Sequence, residues 1–189
     1  MLNKVRSSIA SAMKPIASSV ASLGLTPNQI TVIGLLISLL SAYAFFWPHQ
    51  LWGGILLLVA GFFDILDGAV AKVTGRVTRL GGVLDSVLDR YSDLIIIGAI
   101  LLAGLCDPLW GIIAMIGSVM VSYIRARGEV EGVNMSSVGL MERAERMVIL
   151  AVSAIVGYTW AGIILLAILT HVTVAQRLWY LRKSLARKS

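Results

Sequence analysis

The sequence predicts an all-α integral membrane protein, with six transmembrane helices preceded by an amphipathic interfacial helix. Three observations lead there. Of the 189 residues, 58% are hydrophobic and only 14% charged, and the mean hydropathy is +0.87, too apolar for an ordinary soluble domain. Apolar runs recur at roughly the length a helix needs to cross a bilayer. The lysines and arginines avoid every second connector between those runs, as the positive-inside rule requires of outward-facing loops. The same composition sets other classes aside. A net charge of +6 in a membrane chain marks the cytoplasmic face and anionic headgroups, so no nucleic-acid partner is expected. The single cysteine, Cys106, cannot close an internal disulfide, and His49 and His171 do not form a metal-ligand pattern. No internal repeat, low-complexity linker or signal-peptide pattern interrupts the chain, so 1–189 reads as one membrane domain.

Residues 1–24 carry Leu2, Val5, Ile9, Met13, Ile16, Val20 and Leu23 at spacings of three or four, with Lys4, Arg6 and Lys14 between them. That pattern is an amphipathic helix too polar to span. It lies either in the headgroup plane or against the protein's own cytoplasmic surface, and Pro15 is placed to bend it. Gly24 and the LTPN run at 25–28 stop this helix, and Asn28 is the expected cap of the next. The six-helix bundle occupies 28–183. Its spans run from 30 to 47, where Pro48 stops the first, from 51 through the first aspartates, and from 81 to 105. The others cover 109–125, 142–158 and 160–179. The connectors at 47–50, 106–108 and 158–160 hold no lysine or arginine. This puts both termini and the 72–80 turn on the cytoplasmic side of the cell membrane. Trp47, Trp52, Trp110 and Trp160 form an aromatic belt at the outer interface.

Spans two and three contain five aspartates between 64 and 93, and a carboxylate in a bilayer is costly enough to mark function. Folding the pair as a hairpin about Arg76 brings Asp64 opposite Asp89 and Asp67 opposite Asp85. About 13 uncharged residues precede Asp64 in its span and about 12 follow Asp93, so both clusters sit roughly 20 Å from the outer ends. Asp64 and Asp67 are three apart and Asp85 and Asp89 four apart, so each pair shares a helical face. Four converging carboxylates repel unless they hold a cation, and hard oxygen donors suit Mg2+, Mn2+ or Ca2+. The competing reading has salt bridges from Arg90 to Asp89 or Asp93 and from Lys72 to Asp64 merely neutralising charge, but local basic residues are too few. Gly68 and Gly81 remove side chains beside the carboxylates and leave room for a bulky ligand such as a nucleotide diphosphate, whereas Gly82 reads as a packing glycine. Asp93 reads as a partner of Arg90 rather than a ligand.

The string Asp64-x2-Asp67-Gly68-x2-Ala71-Lys72-x8-Gly81-x3-Asp85-x3-Asp89 resembles the signature of the CDP-alcohol phosphotransferase family, with lysine at 72 where that family usually has arginine. PNQIT at 27–31 and the six-span layout extend the likeness over nearly the whole chain. The resemblance implies metal-dependent transfer of a phosphatidyl-type group from a CDP-linked lipid, CDP-diacylglycerol or CDP-archaeol, to an alcohol, with release of CMP. Asp64, Asp67, Asp85 and Asp89 would hold a pair of Mg2+ or Mn2+ ions, and Asp89 would also be the general base. Thr31, Asp64, Gly68, Ala71, Lys72, Thr78 and Gly81 would contact the CDP-lipid. A homodimer is implied as well.

The remaining basic residues bear on the acceptor. Arg125 and Arg127 end the fourth span, Arg143 and Arg146 open the fifth, and Arg177 lies late in the sixth. All would gather at the cytoplasmic mouth of the aspartate site, where such a cluster suits a doubly charged phosphate on the acceptor. LDSVLDRYSD (84–93) and the SYIRAR run (122–127) resemble the inositol-phosphate branch of the family, and glycerol 3-phosphate is the alternative acceptor. A cation channel or transporter is the reading from another class, but repeats, broken spans and outer-face charge are missing.

Overall fold

The computed structural model describes residues 2–136 and 138–186, with side chains from residue 12 onward. Among the described residues there are seven helices and no strand: α1 (Leu2–Ser22), α2 (Pro27–Phe46), α3 (Gln50–Val73), α4 (Arg79–Leu102), α5 (Pro108–Val130), α6 (Arg143–Ile155) and α7 (Thr159–Leu185). By length and composition α2, α3, α5 and α7 can each cross a membrane. The first half of α4 carries the aspartates, and α6 has only 13 residues.

The helix α1 continues through Pro15 without a break. Its Met13 and Ala17 are buried with Ile30, Leu66 and Val70, so the later part of α1 packs on the protein's own surface, on α3. The side chains of Leu2, Lys4, Val5, Arg6 and Ile9 lie outside the described residues. Gly24, at φ +82°, lets the chain reverse where a side chain would be strained. The cap of α2 is Thr26, two residues before the expected Asn28. Gln29 N donates to Thr26 Oγ1 at 3.4 Å and Thr26 N donates to Gln29 Oε1 at 2.8 Å, and Pro27 fills the first helical position. This reciprocal capping box satisfies two backbone N–H groups at once, which an Asn28 cap would not. Thr78 caps α4 by accepting from Gly81 N at 3.0 Å, so α4 begins at Arg79.

The packing corrects the expected hairpin. The helices α3 and α4 both lie chiefly against α2 rather than against each other, α6 packs on α3, and α5 pairs with α7. Close crossings use small residues, as lipid-embedded helices do. A β-carbon on Gly54 would stand 2.6 Å from the Ala151 carbonyl oxygen, and one on Gly117 would collide with Thr170. At one end, Thr159 Oγ1 donates to Gln50 Oε1 at 2.7 Å and ties the start of α7 to the start of α3. At the other end, the connection between α5 and α6 is pinned. Met135 and Met141 are buried, Met141 N donates to Thr173 Oγ1 at 3.0 Å, and Gly139 lies against Thr173 at φ +106°.

Candidate active site

Because α3 and α4 splay around α2, their carboxylates meet across a gap instead of along a seam. Asp64, Asp85 and Asp89 each offer one oxygen, and these atoms lie within 4.8 Å of one another. Three hard oxygen donors at that spacing fit a divalent cation. Asp67 lines the same small pocket as these three. It is 7% exposed and accepts a 2.6 Å hydrogen bond from Thr31 Oγ1 on α2. Asp67, expected as the fourth ligand, is thus held by Thr31 beside the three-oxygen group.

The positive charge that balances the cluster comes from α6. Arg143 Nη1 lies 2.6 Å from Asp64 Oδ1 and 3.1 Å from Asp89 Oδ1, and its Nε is 3.7 Å from Asp93 Oδ1. Arg146 Nη2 donates to Asp93 Oδ2 at 2.7 Å. The partners of Asp93 are thus Arg143 and Arg146, not Arg90. Arg90 lies 3.6 Å from Asp89 and spends its other contact on the Ser86 carbonyl. Asp64 pairs with Arg143 instead of Lys72. Counting only nearby basic residues undervalued salt bridging, because the arginines that matter arrive from a helix far along the chain.

Three cavities meet at this cluster. One, of about 200 Å3, is lined by Asn28, Thr31, Asp67, Gly68, Ala71, Lys72, Arg76, Thr78, Gly81 and Asp85 among others. It gathers every residue expected to contact a CDP-lipid except Asp64. A β-carbon on Gly68 would meet nothing within 4 Å, so that glycine leaves open space in this cavity, whereas one on Gly81 would press within 2.8 Å of Thr78 Oγ1. Gly82 also faces open space and is no packing glycine. A second, of about 950 Å3, is lined by Asp85, Asp89, Arg90, Arg125, Arg143, Arg146 and Arg177 with neighbouring residues. A small pocket between them holds Asp64, Asp67, Asp85, Asp89 and Arg143. Asp85 lines all three, so it stands at the junction.

The structure separates the five arginines. Arg125, Arg143, Arg146 and Arg177 line the large cavity. Arg127 does not: it pairs with Glu131 at 2.6 Å and is half exposed. Residues two apart on a helix point about 200° away from each other, so Arg125 and Arg127 cannot both face one cavity. Arg177 is 1% exposed. Its Nε donates to the Val138 carbonyl at 2.8 Å and its Nη1 to the Val121 carbonyl at 2.5 Å, clamping α7 to the α5–α6 connection and to the middle of α5. Asn28 and Arg76 are lining residues that motif spacing did not single out, although Arg76 at the centre of the turn between two aspartate clusters was a usable signal.

Comparison with known proteins follows this geometry. Residues 24–179 match the family model described as CDP-alcohol phosphatidyltransferase. The chain is 42% identical over 185 residues to archaetidylinositol phosphate synthase of Pyrococcus horikoshii, covering 98% of each chain. It is 36% identical to phosphatidylinositol phosphate synthase of Mycobacteroides abscessus, over 95% of this chain and 87% of the relative. The crystal structure of Mycobacterium tuberculosis phosphatidylinositol phosphate synthase with CDP-DAG bound superposes with a TM-score of 0.79 at 31% identity, covering 89% of this chain and 92% of that one. The same enzyme in complex with manganese and citrate gives 0.80 at 31% identity, over 89% and 88%.

Proposed function

On the premise that this chain belongs to the CDP-alcohol phosphatidyltransferase family, we propose that it transfers the phosphatidyl-type group of a CDP-linked lipid to inositol phosphate and releases CMP. The observation that carries this reading is the pair of unlike cavities joined at Asp85. The smaller has glycine-opened space with Lys72 and Arg76 on its rim, suited to a nucleotide diphosphate. The larger is arginine-rich, suited to an acceptor that brings its own phosphate. The similar enzymes named for inositol phosphate products, and the related structure holding CDP-DAG, support the same assignment.

Asp64, Asp85 and Asp89 would hold the divalent cation, Mg2+ or Mn2+. A bound cation would neutralise the diphosphate and stabilise the charge developing on the departing CMP. Lys72 and Arg76 would orient the donor phosphates, and Thr31 holds Asp67 fixed beside Gly68. Asp89 borders the acceptor cavity but not the donor cavity. It is therefore the carboxylate placed to take the proton of the attacking hydroxyl. The membrane arrangement that goes with this reading has six crossings, α2 to α7, with α1 at the interface, both termini and the site on the cytoplasmic side, and two copies in a homodimer. The enclosure of α4's carboxylates by arginines from α6 supports its place in the bilayer.

The test is CMP formation by purified protein given CDP-archaeol or CDP-diacylglycerol, inositol phosphate and Mg2+ or Mn2+. Turnover that requires lipid, acceptor and metal, and stops with EDTA, is expected. Full turnover in EDTA, or none with either donor, would overturn the proposal.

A further inference from the structure

Arg143 and a divalent cation make claims on the same carboxylates. The Arg143 guanidinium bridges Asp64 and Asp89 at 2.6 and 3.1 Å, and those two aspartates supply two of the three oxygens of the candidate metal centre. A unit positive charge held that close to a dication in a partly desolvated site is strongly unfavourable. One must yield.

The manner in which Arg143 is held indicates which one. Its Nη1 lies against Asp64 and Asp89 and its Nε near Asp93, so two of its three carboxylate partners are groups a cation would take. Its neighbours are bound differently. Arg146 donates to Asp93 at 2.7 Å, and Arg177 donates to two backbone carbonyls. Arg143 is also the first residue of α6, where its side chain can swing without disturbing a helical turn. The space it can swing into is the large cavity it already lines.

We propose that Arg143 is a tethered counter-cation, displaced from Asp64 and Asp89 when the metal binds and delivered into the acceptor cavity. This inference rests on the reading of the three aspartates as a metal centre. Metal loading would then complete the acceptor's phosphate site, coupling the two halves so that a phosphorylated acceptor is held well only once the metal is in place. By reciprocity, Arg143 weakens metal binding when the acceptor cavity is empty.

The test is Mn2+ binding to the full chain in detergent, followed by electron paramagnetic resonance without substrates, for the wild type and for Arg143→Gln. Arg143→Gln is expected to bind Mn2+ about tenfold more tightly, since it removes a competing charge. A second measurement needs only the wild type: phenylglyoxal labelling of arginines, read by peptide mass spectrometry. Labelling at Arg143 is expected to rise severalfold on adding Mn2+, with Arg177 unchanged. Equal or weaker Mn2+ binding by folded Arg143→Gln overturns the proposal, and so does Arg143 labelling that is indifferent to Mn2+. Absence of saturable Mn2+ binding in the wild type would instead overturn the metal centre itself, and the proposal with it.

Discussion

The two cavities that meet at Asp85 are built in opposite ways. The donor side draws on α2, α3, α4 and the turn at 74–78. Apart from the first turn of α2, its residues fall within one short stretch from Asp67 to Asp85. The acceptor side is assembled from α4, α5, α6 and α7, with arginines contributed by all four helices, of which Arg143, Arg146 and Arg177 are held by partners distant in sequence. A site written mostly in one stretch is positioned by helical period and by the packing of α3 and α4 on α2. A site assembled from distant helices depends on the whole bundle. Substitutions on the donor side should therefore change chemistry and donor binding with modest effects on folding, whereas substitutions on the acceptor side should change stability and acceptor binding together.

Asp89 borders the acceptor cavity as the proposed base, and its loss should have the largest effect. Asp89→Asn is expected to lower the rate of CMP release by about 1,000-fold, as removal of a positioned base does, while CDP-lipid binding measured by equilibrium dialysis persists. Activity near the wild-type rate would remove it as the base. Arg146→Ala comes next. It strips the 2.7 Å partner from Asp93, whose side chain is 12% exposed, leaving only Arg143 at 3.7 Å, and breaking a buried pair in this way costs up to about 3 kcal/mol. A lower thermal midpoint and a raised KM for the acceptor, with the donor KM less affected, are expected; a change confined to the donor KM would break the contrast between the two sides. Thr31→Val removes one hydrogen bond to the buried Asp67 carboxylate, worth about 2 kcal/mol, and should raise the donor KM more than the acceptor KM. Arg127→Ala should do almost nothing, because its ion pair with Glu131 is exposed and such pairs contribute about 0–1 kcal/mol. An acceptor KM raised as much by Arg127→Ala as by Arg146→Ala would show that the cavity is not what reads the acceptor.

The same contrast explains what could be read from the sequence. The helices, the turn centred on Arg76 and the meeting of Asp64 with Asp85 and Asp89 follow from apolar run lengths and from spacings of three and four, which are local properties. The Thr26 cap was equally legible: threonine, proline and a glutamine three residues on form the capping-box pattern, a stronger signal than Asn28. The opposite directions of Arg125 and Arg127 follow from the helical period too. What could not be read is tertiary. Nothing in a hairpin symmetry says that α3 and α4 both pack on α2, so that Asp67 accepts a hydrogen bond from Thr31. Nor does anything near Asp64 announce that its closest partner is Arg143 of α6. Arginines expected to serve the acceptor prove to have structural work as well: Arg177 ties down the α5–α6 connection, and Arg146 compensates Asp93.

The central claim is that the large cavity recognises the phosphate of an inositol phosphate acceptor. The most direct measurement is kcat/KM for inositol phosphate against unphosphorylated inositol, with CDP-lipid and Mg2+ saturating. A preference of about 100-fold or more for the phosphorylated alcohol is expected, in keeping with the cost of leaving buried, charged donors without their partner. Equal kcat/KM for the two alcohols, or a clear preference for glycerol 3-phosphate, would contradict it.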